Sequence, residues 1–217
     1  MDEYLSWDEK IIDDFGDANT SAMYGDGFVF TRIKRGAMTQ TRSVRIDLKK
    51  FELSSENRRV LRKTENIEMR ITRLPHPDYD WRIAKMGFDF YTKKFGKKTF
   101  SANKIKELLT SEQSNYNLLM KFIDHDSKES VGYAICFDNK DLLHYAYPFY
   151  NLNSSISNLG MGMMTKAIVW AKEQDKKFVY LGSAKNSTAI YKTQFSGFEW
   201  FDGKEWQTNI EELKKIL

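Results

Sequence analysis

A chain of 217 residues, 41% hydrophobic and 14% aromatic, can build one large packed domain or a domain with a substantial arm, and its 3 prolines and 12 glycines argue against long disordered linkers. No apolar run approaches the roughly 18 residues of a membrane span, and the acidic start has no apolar signal region, so the expectation is a cytoplasmic protein with no membrane partner. The formal net charge of +4 conceals two blocks: residues 1–17 carry seven acids and one base, while residues 32–63 carry eleven bases and three acids. Such blocks are usually solvated faces. The functional alternative is a surface that contacts phosphates, with the acidic arm folding over it to compete with an anionic partner.

In chain order, residues 26–48 alternate apolar and polar (Phe28, Phe30, Ile33, then Val44, Ile46, Leu48), which predicts two short strands around a turn at Gly36. Ser54 is a candidate N-cap for a helix in which Val60 and Leu61 form a small apolar face and Arg58, Arg59 and Arg62 line the rest. Residues 66–74 read as a strand, and His76-Pro77-Asp78 as a turn. From Trp81 the spacing of Ala84, Met86, Phe88, Phe90, Tyr91 and Phe95 predicts a helix packed on several sides. Residues 100–109 predict a second helix capped by Ser101. Strands over 116–123, 131–137 and 142–150 follow, separated by polar turns. A helix over 160–174, a strand over 178–181, a short helix over 186–195, a strand over 198–201 and a closing helix from 210 complete the chain. This order implies a mixed sheet with helices on its faces, its second half built on a βαβ unit.

Two stretches carry the chemistry. Asn158-Leu159-Gly160-Met161-Gly162 sets a glycine-rich turn at a helix start, where free N–H groups and the positive end of the dipole favour a phosphate and glycine permits close approach. A helix start alone would also account for it. The second stretch runs from Asn186 to Tyr191 and Lys192 and closes with Gly197-Phe198. Asn186 would cap the short helix. Tyr191 has two readings, a packed tyrosine with a satisfied hydroxyl or an acid that protonates a leaving group. Ser183 and Asn186 are candidates to hold donor or acceptor. His144, alone on a strand, reads as structural before it reads as a base. Cys136, the only cysteine, sits in an apolar run, cannot form an internal disulfide, and reads as a buried strand residue. No metal site is expected.

Residues 81–206 resemble the GNAT acyltransferase superfamily. Its motif Asn-x-x-Ala-x-x-Tyr-x-x-x-Gly-Phe is nearly matched by Asn186, Ala189, Tyr191, Gly197 and Phe198, with altered spacing. Where the coenzyme A loop usually has Gln or Arg, this chain has Ser157. A narrower resemblance extends over residues 27–206. Arg42-Ser-Val-Arg45-Ile46, Phe51, Ser54 and Arg58-Arg59 are similar to the N-terminal signature of arginyl- and leucyl-tRNA–protein transferases. Phe149-Tyr150, Asn158-Leu159-Gly160, Tyr180-Leu181-Gly182, Tyr191-Lys192 and Trp206 follow that family's order. The family's cysteine cluster before the Arg-Val/Ile strand is missing; the segment here is Arg35-Gly-Ala-Met-Thr-Gln-Thr41.

The resemblance implies an α/β GNAT-like mixed sheet flanked by helices, with a small basic N-terminal α+β arm over 1–64 and the acyltransferase domain over 65–217. It implies an enzyme that moves an amino acid from aminoacyl-tRNA, its co-substrate, to the α-amine of a protein or peptide, with no permanently bound cofactor. The alternative is a GNAT N-acetyltransferase that uses acetyl-CoA. Tyr191 is the expected catalytic residue. Asn158, Leu159, Gly160, Gly162, Gly182, Ser183 and Asn186 are the expected donor-binding residues, and Arg58, Arg59, Arg62 and Lys192 would bind the acceptor or the tRNA.

Overall fold

A computed structural model describes residues 5–217. The chain divides into two compact units that interleave along the sequence. The first takes the residues up to Ser54, Asn139–His144 and Trp170–Leu217; the second takes Ser55–Asp138 and Tyr145–Val169.

In the first unit, β1 (Asp8–Ile11) and β2 (Phe28–Phe30) flank β3 (Ala37–Gln40) in a small antiparallel sheet. Helix α1 (Asp17–Gly25) precedes β2. The apolar alternation after Phe28 therefore serves three strands, not two, because β4 (Ser43–Asp47) leaves the hairpin for a larger sheet. There β4 lies antiparallel to β9 (Phe178–Ser183) and to β10 (Phe198–Phe201), which pairs with β11 (Trp206–Gln207). Leu142–His144, the start of β8 (Leu142–Tyr150), runs parallel to β9. Val44, Ile46, Val179 and Leu181 are buried from these strands, and Leu213 is buried from α6 (Ile210–Ile216). Asn209 caps α6 by accepting from the Glu211 and Glu212 amides. β1 is exposed along its whole length, so it is held by backbone pairing with β3, while the residues around it add contacts of Trp7 with Phe201 and of Phe15 with Phe30.

In the second unit the rest of β8 continues the order β8, β7 (Ser130–Asp138), β6 (Leu118–Asp124), β5 (Ile67–Arg73), with β6 antiparallel to both neighbours. Cys136 is fully buried here and burial pushes its thiol up, so it is an inert core group. Helix α2 (Ser55–Lys63) precedes β5. Helix α3 (Trp81–Phe95) starts at an Asp80 cap and α4 (Ala102–Thr110) at a Ser101 cap, each cap oxygen accepting a first-turn amide. α3 buries Ile83, Ala84, Gly87, Phe90 and Tyr91 on one face. Trp81 and Phe95 remain 64% and 62% exposed, so α3 packs on one side and not on several. Helix α5 (Leu159–Glu173) follows β8, and its residues to Val169 belong to this unit.

Candidate active site

The turn into α5 depends on Asn158, which takes a left-handed φ of 61°, a conformation asparagine tolerates better than most residues. Its carbonyl accepts the Gly162 amide at 2.8 Å and closes the first helical turn. Leu159 is buried. A Cβ on Gly160 would sit 2.9 Å from the Tyr150 ring, and one on Gly162 would sit 2.5 Å from the Thr64 side chain. Both glycines thus have a packing reason: β8 and the chain just after α2 approach the first turn of α5 too closely for a side chain. That contact brings the C-terminal end of α2 to the start of α5. Arg58, Arg59 and Arg62 are exposed on α2. Arg59 is paired with Glu56 one turn away through two hydrogen bonds, of 2.7 and 2.5 Å.

The remaining expected site residues lie in the first unit, around the end of β9. Gly182 has a φ of 78°, which a side chain would resist, and there the strand leaves its regular path. A 3-10 helix, Ser187–Gln194, follows. Asn186 caps it, its side-chain oxygen accepting from the Thr188 amide at 3.1 Å and the Thr188 hydroxyl at 2.6 Å. Tyr191 and Lys192 sit side by side on this short helix with opposite fates. Tyr191 is 45% exposed, whereas Lys192 is only 9% exposed. The Lys192 ammonium donates to the Ser183 carbonyl at 2.9 Å and lies 5.9 Å from the Tyr191 ring centroid. Burial lowers its pKa to about 8. The sequence grouped Lys192 with the α2 arginines; their burial differs, since the three arginines are exposed and Lys192 is buried.

Not all of the basic segment is surface. Arg45 is inserted between Trp206 and Phe178, its guanidinium carbon 3.8 and 4.0 Å from the two ring centroids. It forms an ion pair with Glu199 at 2.8 Å and donates to the Tyr180 hydroxyl at 3.2 Å. Tyr180 donates in turn to the Tyr24 carbonyl, and the Tyr24 hydroxyl lies 2.9 Å from Nδ1 of His144. His144 is buried, and desolvation with the nearby Lys192 charge drives its pKa down to about 3, so it is neutral and structural. Lys50 joins the same Glu199 from the outer side at 3.0 Å. Arg42 is also drawn inward: its Nη1 donates to the Ala184 carbonyl at 3.3 Å, and its Nε is buried without a partner. The sequence placed both arginines in the signature-like segment but gave no sign of their inward contacts, because an arginine on or beside a strand reads as surface until its neighbours are known. Among the described residues, no group of three His, Cys, Asp or Glu side chains is arranged to hold a metal.

No family model matches the chain. Curated relatives do. A protein named aspartate/glutamate leucyltransferase from Ruegeria pomeroyi is 25% identical over 167 residues, 76% of this chain and 61% of its own length. One of the same name from Saccharophagus degradans is 21% identical over 178 residues, 77% of this chain and 71% of its own. This chain is similar, at low identity, to proteins named aspartate/glutamate leucyltransferase. It spans about 61% of the length of the first of these relatives. Among solved structures, FemX matches with a TM-score of 0.50 at 11% identity, covering 93% of this chain and 71% of its own. L-PGS from Bacillus licheniformis also reaches 0.50 at 10% identity, covering 82% and 57%. At such identities these likenesses bear on the fold alone. The fold is α/β, a large mixed sheet flanked by helices with a small N-terminal sheet, as the sequence led one to expect, and it is shared with FemX and L-PGS.

Proposed function

We propose that this chain transfers an amino acid from aminoacyl-tRNA to the α-amine of a protein or peptide. The observation that carries the reading is the Tyr191-Lys192 pair on the short helix after β9, a half-open phenol beside a buried ammonium. The similarity to proteins named leucyltransferases over about three quarters of the chain supports it.

The chemistry asks little of the protein. An α-amine has an ordinary pKa of about 7.7–8, so part of it is already the neutral nucleophile near neutral pH. Its nitrogen attacks the ester carbonyl carbon, the new C–N bond forms, and the bond from that carbon to the ribose oxygen breaks. The nitrogen must lose one proton and the ribose oxygen must gain one. Tyr191 serves both needs by giving its hydroxyl proton to the oxygen and regaining one from the nitrogen. In the first unit, the backbone N–H of Gly182 is the proposed donor to the carbonyl oxygen, with Ser183 and Asn186 following it in the chain as further donor-binding candidates; in the second unit, the turn of Asn158, Leu159, Gly160 and Gly162 is proposed, by itself, to bind the donor's phosphates. Arg58, Arg59 and Arg62 are the proposed tRNA contacts, within the basic arm over 1–64. Since charged tRNA is the donor, the proposed place of action is the cytoplasm; no helix among the described residues is long and apolar enough to cross a membrane.

The test is incubation with labelled aminoacyl-tRNA or with acetyl-CoA, together with peptides that vary in their first residue. Label passing from tRNA to a peptide amine is the expected result. Acetylation without tRNA would instead identify an acetyl-CoA enzyme.

A further inference from the structure

We propose that the outer edge of β5 is an interface for a second copy of this chain, formed by antiparallel strand pairing about a twofold axis at Met69; the inference does not depend on the transfer reading above. Among the described residues, β5 is the last strand of the large sheet on its side. Its ladder with β6 runs without a register shift, from Ile67 opposite Asp124 to Arg73 opposite Leu118. Just beyond the ends of β5, the Leu74 amide donates to the Asn117 carbonyl at 3.0 Å, and the Asn66 carbonyl accepts from the His125 amide at 2.8 Å. Backbone direction alternates along an antiparallel strand, so the even-numbered residues face β6, while Met69, Ile71 and Arg73 turn their N–H and C=O groups outward. The Ile67 amide, on the same outward side, is taken by the Thr64 carbonyl at 3.0 Å.

An open strand edge is a template for pairing, and proteins blunt it with lysines, proline or a bulge. β5 has none of these: Ile67–Arg73 contains no lysine or proline, and its ladder is regular. Its exposed charges, Glu68, Arg70 and Arg73, are of both signs, and Ile71 is 37% exposed. The order of its side chains is complementary to itself. With Met69 opposite Met69 of the second copy, Glu68 stands opposite Arg70 and Ile67 opposite Ile71, each reciprocally. The two Met69 residues exchange both N–H···O bonds, and each Ile71 amide donates to the Ile67 carbonyl of the other copy. Within one chain, Arg70 already donates to Glu68 through hydrogen bonds of 2.7 and 2.9 Å. The second copy brings the same pair in reverse, so the charges alternate in sign around the axis.

Charge selects this register. An axis at Glu68 or at Arg70 would set like charges directly against each other, and an axis at Ile71 would set Arg73 against Met69. Ile67, Met69 and Ile71 lie on the face of β5 that continues to the buried Phe122 and Met120 of β6, so pairing extends that apolar surface and covers Ile71. A strand from another protein would have to carry this pattern in reverse order. A second copy supplies it by symmetry.

The experiment follows the mass of the full chain by sedimentation over a concentration series. The wild type should pass from monomer to dimer. Glu68→Arg and Arg70→Glu should each raise the dissociation constant at least about tenfold, and the two together should restore it, because the reversed charges again meet their opposites. Circular dichroism checks that the variants fold. Cysteine substitution tests the register directly, since the native Cys136 is buried. The Met69 Cα atoms would lie about 5.5 Å apart, within disulfide reach, so Met69→Cys should cross-link two copies on mild oxidation. Ile71→Cys should not, because its counterpart is displaced by about 13 Å along the strands. A wild type that stays monomeric up to about 0.1 mM overturns the interface and leaves the edge to a strand of another protein. A dimer indifferent to the single charge reversals, or one that the double reversal does not recover, also overturns it, as does equal cross-linking through positions 69 and 71.

Discussion

Tyr191 and Lys192 are neighbours in the chain, and the short helix beneath them turns one toward solvent and the other inward. Replacing Tyr191 by Phe removes only a hydroxyl from a 45% exposed side chain, so folding stability should be nearly unchanged. If the phenol is the acid, kcat falls about a hundredfold with KM little altered; full activity in the Phe variant would end that assignment. Lys192 gives a pH signature of definite sign. Its folded pKa is about 8, below the ordinary 10.5, so between those values the unfolded chain holds the extra proton and stability rises as pH climbs. Below that window both states are protonated, and the buried charge costs on the order of 3 kcal/mol. Urea unfolding should therefore find Lys192→Met more stable than the wild type near neutral pH, with a flatter profile above about pH 8. A wild-type profile already flat there would contradict the burial of the ammonium.

Among the elements, β4 and the first turn of α5 are each fixed by a side chain from elsewhere in their own unit. Arg45 on β4 neutralises Glu199 on β10. Arg45→Ala leaves that buried carboxylate with only the solvent-facing Lys50, and a loss of about 3 kcal/mol is expected by chemical denaturation. Methionine at 45 restores the apolar contact with Trp206 and Phe178 but not the charge, so it should recover only part of the loss. At α5, Gly162→Ala would drive a methyl group into Thr64 and should cost about 1–3 kcal/mol. Thr64→Ala should relieve most of that. If Gly162→Ala were fully stable, the glycine would be free for another purpose, and the phosphate reading of the turn would gain at the expense of packing. Elements with an apolar rhythm or a polar cap were visible in advance, as α4 with Ser101 and the strands of the second unit illustrate. β1 and α1 were not. β1 is exposed throughout and α1 buries only Thr20 and Tyr24, so neither imprints a hydrophobic period on the sequence.

For the whole molecule, the decisive property is where its positive charge ends up. The basic segment adds eleven cations to a chain whose formal net charge is only +4. Arg42 and Arg45 are withdrawn into the first unit, while Arg58, Arg59 and Arg62 stay exposed on α2. Plots of log affinity against log salt for tRNA should be steep, and neutralising the three α2 arginines should lower the slope by about 2, at roughly 0.7–0.9 per phosphate contact. Arg59, already engaged with Glu56, should contribute least of the three. An unchanged slope would exclude α2 from the tRNA contact.

The sequence by itself determined the order and type of most elements, the mixed-sheet class and the two segments in which chemistry was sought. Those depend on local period, caps and turns, which neighbouring residues specify. Only the tertiary structure decided which charges are buried. It turned Lys192 inward, sealed Arg45 between two rings, made His144 a neutral core group and left the Arg42 Nε without an acceptor. The reason is physical: the state of a charge depends on the groups that surround it in space, and for Arg42, Arg45 and His144 the partners Ala184, Glu199 and Tyr24 come from stretches of chain more than a hundred residues away.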